Sequence, residues 1–301
     1  MSNRMKIWID GAVVDAAQAK ISVLDHGLLY GDGIFEGIRI TAGRVFRLDA
    51  HLRRLQTGAR VLGLALPGGL EQVEKVVLET ARAYAQDEAY VRLIVTRGEG
   101  ELGVDPTQCA SPRIICIVTS IRLYPDEKRQ RGLDLVTVSV RRPAPDVLDP
   151  AVKSLNYLNS VLAKREAKLR GADEALVLNG AGHVAEASVA NVFAVRDGVL
   201  STPPVTDGAL PGINRATLLE LAAELGIPAR EVSLGRVDLL GADEVFLSGS
   251  GAGLIHVATL DGEPIGEPGA GQGPVLARLA EAFERFARSN GVPFRGERAS
   301  S

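Results

Sequence analysis

Two side chains in this 301-residue sequence have the type and setting that chemistry uses. The first is Lys153, in Ala151-Val-Lys-Ser-Leu-Asn-Tyr-Leu158, where every neighbour is uncharged. Lys75, Lys128, Lys164 and Lys168 instead stand among charged residues, on segments that read as solvated helix faces or loops. Apolar surroundings disfavour an ammonium, so such an amine can attack a carbonyl carbon and form a Schiff base. The plainer reading is a lysine whose stem covers apolar surface ahead of a helix, and the local sequence leaves both open. The second is Glu186, in Gly182-His-Val-Ala-Glu-Ala-Ser, a carboxylate in an otherwise apolar strand expected to belong to a central sheet. A buried carboxylate needs a cationic or proton-donating partner. A protonated ring nitrogen would serve, as would an arginine or an exposed edge position.

Backbone features add three candidates. Leu210-Pro-Gly-Ile-Asn-Arg-Ala-Thr opens an amphipathic segment, and a helix starting there offers the Ile213 and Asn214 amides to a phosphate. The alternative is an ordinary helix start capped by Asn214. Ser248-Gly-Ser-Gly-Ala-Gly253 follows a strand, Glu244 to Leu247, and combines close backbone approach with two hydroxyls, or else is a tight turn. Gly98-Glu-Gly-Glu-Leu-Gly103 matches the dinucleotide fingerprint by letter, but no helix follows it, so a flexible loop is expected. Cys109 and Cys116 have no metal-ligand spacing with the four histidines. Free, partly buried thiols and no metal site are expected.

These residues need a scaffold. A hydrophobic content of 46% supports a sizeable core, and a net charge of −3 gives no basic field for nucleic acid or anionic lipid. No apolar run is long enough to span a membrane, and the N-terminus carries no apolar signal core, so a cytoplasmic location is expected. Leu48, Leu52, Leu55, Ala59 and Leu62 follow the helical period, as do Leu70, Val73, Val77, Ala81 and Tyr84. Strands are expected at Lys6 to Ile9, Tyr90 to Thr96, Arg113 to Val118 and Leu133 to Val140. The charged stretch 124–132 reads as a linker between domains spanning 1–123 and 133–301. In the second domain, helices are expected at Ser154 to Arg170, Asn214 to Leu225 and Val275 to Ser289, around short β-branched runs with antiparallel or barrel character.

Jointly, the motifs resemble the fold-type IV pyridoxal-phosphate enzymes, and within them the branched-chain amino acid aminotransferases. The resemblance covers nearly the whole chain. It rests on His26 to Arg39, His51-Leu-Arg-Arg-Leu55, Lys153-Ser-Leu-Asn-Tyr-Leu-Asn-Ser160, Glu186 to Phe193, Leu210-Pro-Gly-Ile-Asn-Arg215 and Ala242 to Ser250, in that order. It implies an α+β (mixed α/β) fold with a small N-terminal α/β domain and a larger C-terminal domain forming a pseudo-barrel of mostly antiparallel strands. The implied cofactor is pyridoxal 5′-phosphate, held by Lys153 as an internal aldimine. Glu186 would pair with its ring nitrogen, Tyr157 with its ring oxygen, and Arg54, the Ile213 and Asn214 amides and Ser250 with its phosphate.

The resemblance also implies transamination of leucine, isoleucine and valine with 2-oxoglutarate. Tyr30, Phe35 and Tyr90 would line the side-chain pocket beside Gly37, and Arg92 would take the second carboxylate of glutamate, since guanidinium binds carboxylate bidentately. Tyr90 and Arg92 share one strand face by their spacing. The Ser250 and Gly251 amides would hold the α-carboxylate, where bacterial relatives tend to carry threonine and alanine; serine and glycine make that turn roomier. A homodimer or higher homo-oligomer is expected. The alternatives on the same fold are a D-amino acid or (R)-amine aminotransferase and aminodeoxychorismate lyase. A D-amino acid aminotransferase would carry basic residues where Glu99-Gly-Glu-Leu-Gly103 stands, and the lyase would lack the Tyr90 and Arg92 pair.

Overall fold

The computed structural model describes residues 5–109, 111–267, 269 and 271–295. Its elements run β1 (Lys6–Ile9), β2 (Ala12–Val14), α1 (His26–Leu29), β3 (Gly33–Thr41), β4 (Arg44–Val45), α2 (Leu48–Val61), α3 (Gly69–Tyr84), β5 (Ala89–Thr96) and β6 (Arg113–Thr119). They continue with α4 (Asp126–Arg131), β7 (Leu133–Arg141), α5 (Pro145–Leu148), α6 (Leu158–Leu169), β8 (Glu174–Leu178), β9 (Val184–Ala187), β10 (Asn191–Arg196) and β11 (Val199–Thr202). The last are α7 (Ile213–Glu224), β12 (Ala229–Glu231), α8 (Arg236–Leu240), β13 (Glu244–Gly249), β14 (Gly253–Leu260), β15 (Glu263–Pro264), α9 (Pro274–Ser289) and β16 (Val292–Pro293).

The chain forms two compact units that are not contiguous in sequence. The first takes the residues up to Ile121, then Val152–Asn156 and the segment from Phe286; the second takes Arg122–Ala151 and Tyr157–Arg285. The segment 152–156 joins the first unit because its backbone is bonded to β3: Phe35 N–H donates to Lys153 O at 2.9 Å, and Leu155 N–H to Gly33 O at 2.9 Å. The stretch 124–132, expected as a linker, carries α4 and its charges are used locally. Lys128 and Arg131 ion-pair with Asp173 of the second unit.

In the first unit the strand order is β16-β4-β3-β5-β6-β1-β2, antiparallel throughout. One face is apolar: Ile34, Ile38, Ile40, Val91, Leu93 and Val95 pack with Leu52, Leu55 and Ala59 of α2 and Val73, Val77 and Ala81 of α3. Each fully buried aliphatic side chain contributes roughly 1.5–3 kcal/mol, so these two stripes fix both helices on the sheet. The opposite face of β3 and β5 is set by register. Gly37 lies across from Arg92, Phe35 from Ile94 and Arg39 from Tyr90.

The second unit has the order β12-β11-β10-β13-β14-β7-β8-β9, with β15 on β14. Most pairings are antiparallel, while β7 is parallel to both β8 and β14 and β12 is parallel to β11. Leu178 and Val184 near one end of that order share one core cluster with Val192, Leu247, Val257 and Leu135. A flat sheet would hold them apart, so the sheet curls around this core, and Ala187 N–H donates to Ala190 O where β9 turns into β10. Among the described residues no helix is long and apolar enough to cross a membrane.

The helix expected from Ser154 begins only at Leu158, with Tyr157 as its N-cap. Ser154 is bridged to Ile34, and Leu155 bonds Gly33, so their backbone groups are committed to β3 and cannot enter helical turns.

Candidate active site

Lys153 stands on the strand-like segment added to the start of β3. Gly33 permits this approach, because a Cβ there would lie 2.6 Å from Val95 O and 2.7 Å from Leu155 Cδ1. The side chain is half-buried rather than fully enclosed, and its Nζ lies 4.4 Å from the centroid of the Phe35 ring. The Arg92 guanidinium lies 4.6 Å from the same centroid and 5.7 Å from that of Tyr90, and its Nη2 donates to the Tyr90 hydroxyl at 3.2 Å. Arg92 has no acidic partner among the described residues, and its Nε is buried without a hydrogen bond. Gly37 makes room for this pair, since a Cβ there would fall 2.2 Å from the Tyr90 hydroxyl. Tyr30 belongs to a neighbouring corner. Its hydroxyl accepts from Gly103 N–H at 2.9 Å, and its ring meets His26 edge-on at 4.9 Å. The glycine-rich run expected as a flexible loop is thus pinned, with His26 Nε2 also 2.9 Å from Glu101 O.

Arg54, on α2, meets a carboxylate first. Glu36 Oε1 accepts from Arg54 Nε at 2.8 Å, and Oε2 accepts from Arg54 Nη2 at 2.6 Å and from His51 Nδ1 at 2.7 Å. Glu36 and His51 are fully buried. Burial pushes the Glu36 carboxyl up, but the Arg54 and His51 charges and hydrogen bonds outweigh it and bring it to about 2.

In the second unit Glu186 is enclosed by its own donors. Arg142 Nη2 donates to Oε1, while Asn191 Nδ2 and Leu210 N–H each donate to Oε2 at 3.1 Å. The arginine partner that the sequence left open is thus present, and the strand, β9, is last in its sheet order. Asn191 also donates to Leu210 O at 2.9 Å, so it ties Glu186 to the turn that opens α7. Gly212 is the N-cap there, without a side-chain cap, and Asn214 lies buried inside the first turn instead of capping it. A Cβ on Gly212 would sit 2.0 Å from Asn191 Oδ1. Ser248 pairs with Asn191 across β13 and β10, which brings the turn carrying Ser250 and Gly251 to the same end of the sheet as α7. Ser248 Oγ is buried and has no hydrogen-bond partner among the described residues. Tyr157 stands half-buried at the start of α6.

Comparison with known proteins gives the family. The model of the family described as amino-transferase class IV matches residues 33–260. The putative branched-chain-amino-acid aminotransferase of Methanocaldococcus jannaschii is 46% identical over 288 residues, 96% of this chain and 98% of that protein. The chain belongs to the class IV aminotransferases. Among solved relatives, the Escherichia coli branched-chain amino acid aminotransferase superposes with a TM-score of 0.90 at 34% identity, covering 98% of this chain and 97% of that one. The branched-chain aminotransferase of the archaeon Thermoproteus uzoniensis, solved with norvaline, gives a TM-score of 0.87 at 36% identity over 95% of each chain.

For this class IV aminotransferase, sequence reasoning passed over Glu36, Arg142 and Asn191. Glu36 had a signal: it is the one charge in the alternating row Ile34, Glu36, Ile38, Ile40 of an otherwise apolar strand face. Arg142 and Asn191 had none, because only folding brings them to Glu186.

Proposed function

We propose that this protein transaminates branched-chain L-amino acids with 2-oxoglutarate, using pyridoxal 5′-phosphate. The observation that carries the reading is the Phe35 ring, which lies under both the Lys153 amine and the Arg92 guanidinium, a cation without an acidic partner among the described residues. A nucleophilic amine beside an open carboxylate site on an aromatic floor suits a substrate that is apolar in one half-reaction and dicarboxylic in the other.

The second unit's residues fit the cofactor. An anionic carboxylate at Glu186 suits a protonated ring nitrogen, and the uncapped N-terminus of the twelve-residue α7 suits a phosphate. When bound, pyridoxal phosphate supplies an electrophilic carbon for the amino group and a ring that withdraws electrons from the substrate α-carbon. Lys153 accepts and returns the α proton. Glu186, paired with Arg142, holds the ring-nitrogen proton in place; Arg54, the Ile213 and Asn214 amides and Ser250 anchor the phosphate, and Tyr157 bonds the ring oxygen. Phe35, Tyr90, Tyr30 and Gly37 shape the side-chain pocket, Arg92 receives the distal carboxylate, and the Ser250 and Gly251 amides receive the α-carboxylate. The working protein is a homodimer and acts in the cytoplasm.

The test is spectroscopic. Purified protein should bind pyridoxal phosphate with a visible absorbance band that changes when L-leucine is added, and Lys153→Ala should lose both the band and turnover while keeping its fold. Sustained turnover by Lys153→Ala would refute the assignment.

A further inference from the structure

In the first unit a charge occupies a core position. Glu36 faces α2 between Ile34 and Ile38, is fully buried, and is held below the ordinary carboxylate range. Replacing a buried ion pair by apolar residues of similar volume is often neutral or stabilising, so stability alone is a weak reason for this carboxylate. Its geometry suggests another. Both carboxylate oxygens grip one edge of the Arg54 fork, through Nε at 2.8 Å and Nη2 at 2.6 Å. A guanidinium held on that edge has its Nη1 edge directed away from the carboxylate and cannot rotate. His51, one turn before Arg54 on α2, bonds Oε2 at 2.7 Å and so fixes the carboxylate in turn. Burial, joined by the Arg54 and Lys153 charges, holds His51 below its usual value despite Glu36, and its ring, itself fully buried, braces the carboxylate through Nδ1.

We propose that Glu36, braced by His51, is a positioning residue that presents the Arg54 guanidinium to the phosphate of the cofactor. The inference rests on the reading that Arg54 binds that phosphate. An arginine side chain carries considerable rotamer entropy, and a partner that freezes it beforehand raises its affinity for an anion.

Titration of the full chain with pyridoxal phosphate and with pyridoxal, which lacks the phosphate, tests this by visible absorbance. Glu36→Gln should weaken pyridoxal phosphate binding about tenfold to a hundredfold and pyridoxal binding by less than about twofold, the scale for losing a partner that orients a ligand-holding group. Arg54→Gln should show the same selective loss, and Glu36→Gln should add nothing in the Arg54→Gln background. Equal losses for both ligands, or an additive effect in the double variant, would show a merely structural carboxylate and overturn the proposal. If Arg54→Gln leaves phosphate selectivity intact, the Arg54 assignment itself falls and the proposal with it. Should Glu36→Gln fail to fold, His51→Leu removes one bond of the brace and must show a smaller loss with the same selectivity; its absence overturns the proposal equally.

Discussion

Arg92 illustrates how little a residue's type says without its partners. Arg97 is also an arginine near the end of β5, yet it is consumed by Asp32 and by the carbonyls of Leu62 and Gly63, whereas Arg92, among the described residues, meets an aromatic floor and one phenol. If Arg92 serves the dicarboxylate half of the cycle, Arg92→Ala should slow the half-reactions of glutamate and 2-oxoglutarate far more than those of leucine, isoleucine or valine. Losing one member of a desolvated charge pair costs about 2–5 kcal/mol, or roughly 30-fold to several thousandfold in rate. Single-turnover absorbance separates the half-reactions, and equal losses for leucine and glutamate would assign Arg92 to another role. Glu36 gives a pH prediction. Its folded value of about 2 lies below the ordinary 4.5, so its stabilisation is complete above about 4.5 and disappears as pH falls toward 2. Glu36→Gln should therefore be less stable than wild type at neutral pH, and the gap should narrow across that acid window. A gap in denaturation midpoint that stays constant down to pH 2 would contradict it.

At the scale of elements, the α7 N-terminus and β9 are coupled through Asn191, which bonds Leu210 O and Glu186 together. Gly212 is the packing contact that allows it. Gly212→Ala keeps an allowed backbone, with φ −67 and ψ 135, but its methyl must displace the Asn191 amide. Overpacking of this kind costs about 1–3 kcal/mol. Thermal unfolding should register that loss, and cofactor affinity should fall with it if the proposed phosphate site and the proposed ring-nitrogen partner shift together. Retained affinity in a destabilised Gly212→Ala protein would uncouple the two.

For the whole molecule, the pinned loop after β5 carries Leu102 and Val104, which are 78% and 81% exposed in the isolated chain. Exposed apolar side chains on a loop held in place suit a subunit contact, in line with the proposed homodimer. Sedimentation of the purified protein should give at least a dimer, and Leu102→Asp with Val104→Asp should shift it toward monomer and reduce activity. A fully active monomer would contradict the assembly.

By itself the sequence determined the class of protein: Lys153, Glu186, the Leu210-Pro-Gly turn and the Ser248 turn were visible because each depends on a few consecutive residues. The helical stripes of α2 and α3 were visible for the same reason, since their period is local. Tertiary structure alone decided the start of α6, because β3 captures the backbone of Ser154 and Leu155 before it can turn helical. It also decided the partner of Glu186. Arg142 is 44 positions away in sequence, and nothing in its own neighbourhood marks it. The Glu36, His51 and Arg54 cluster lies between these cases. The polar residue in an apolar strand and the i, i+3 spacing on a helix are both legible, but which charge faces which is settled only when helix and sheet pack, because a buried carboxylate takes whatever donors the packing delivers.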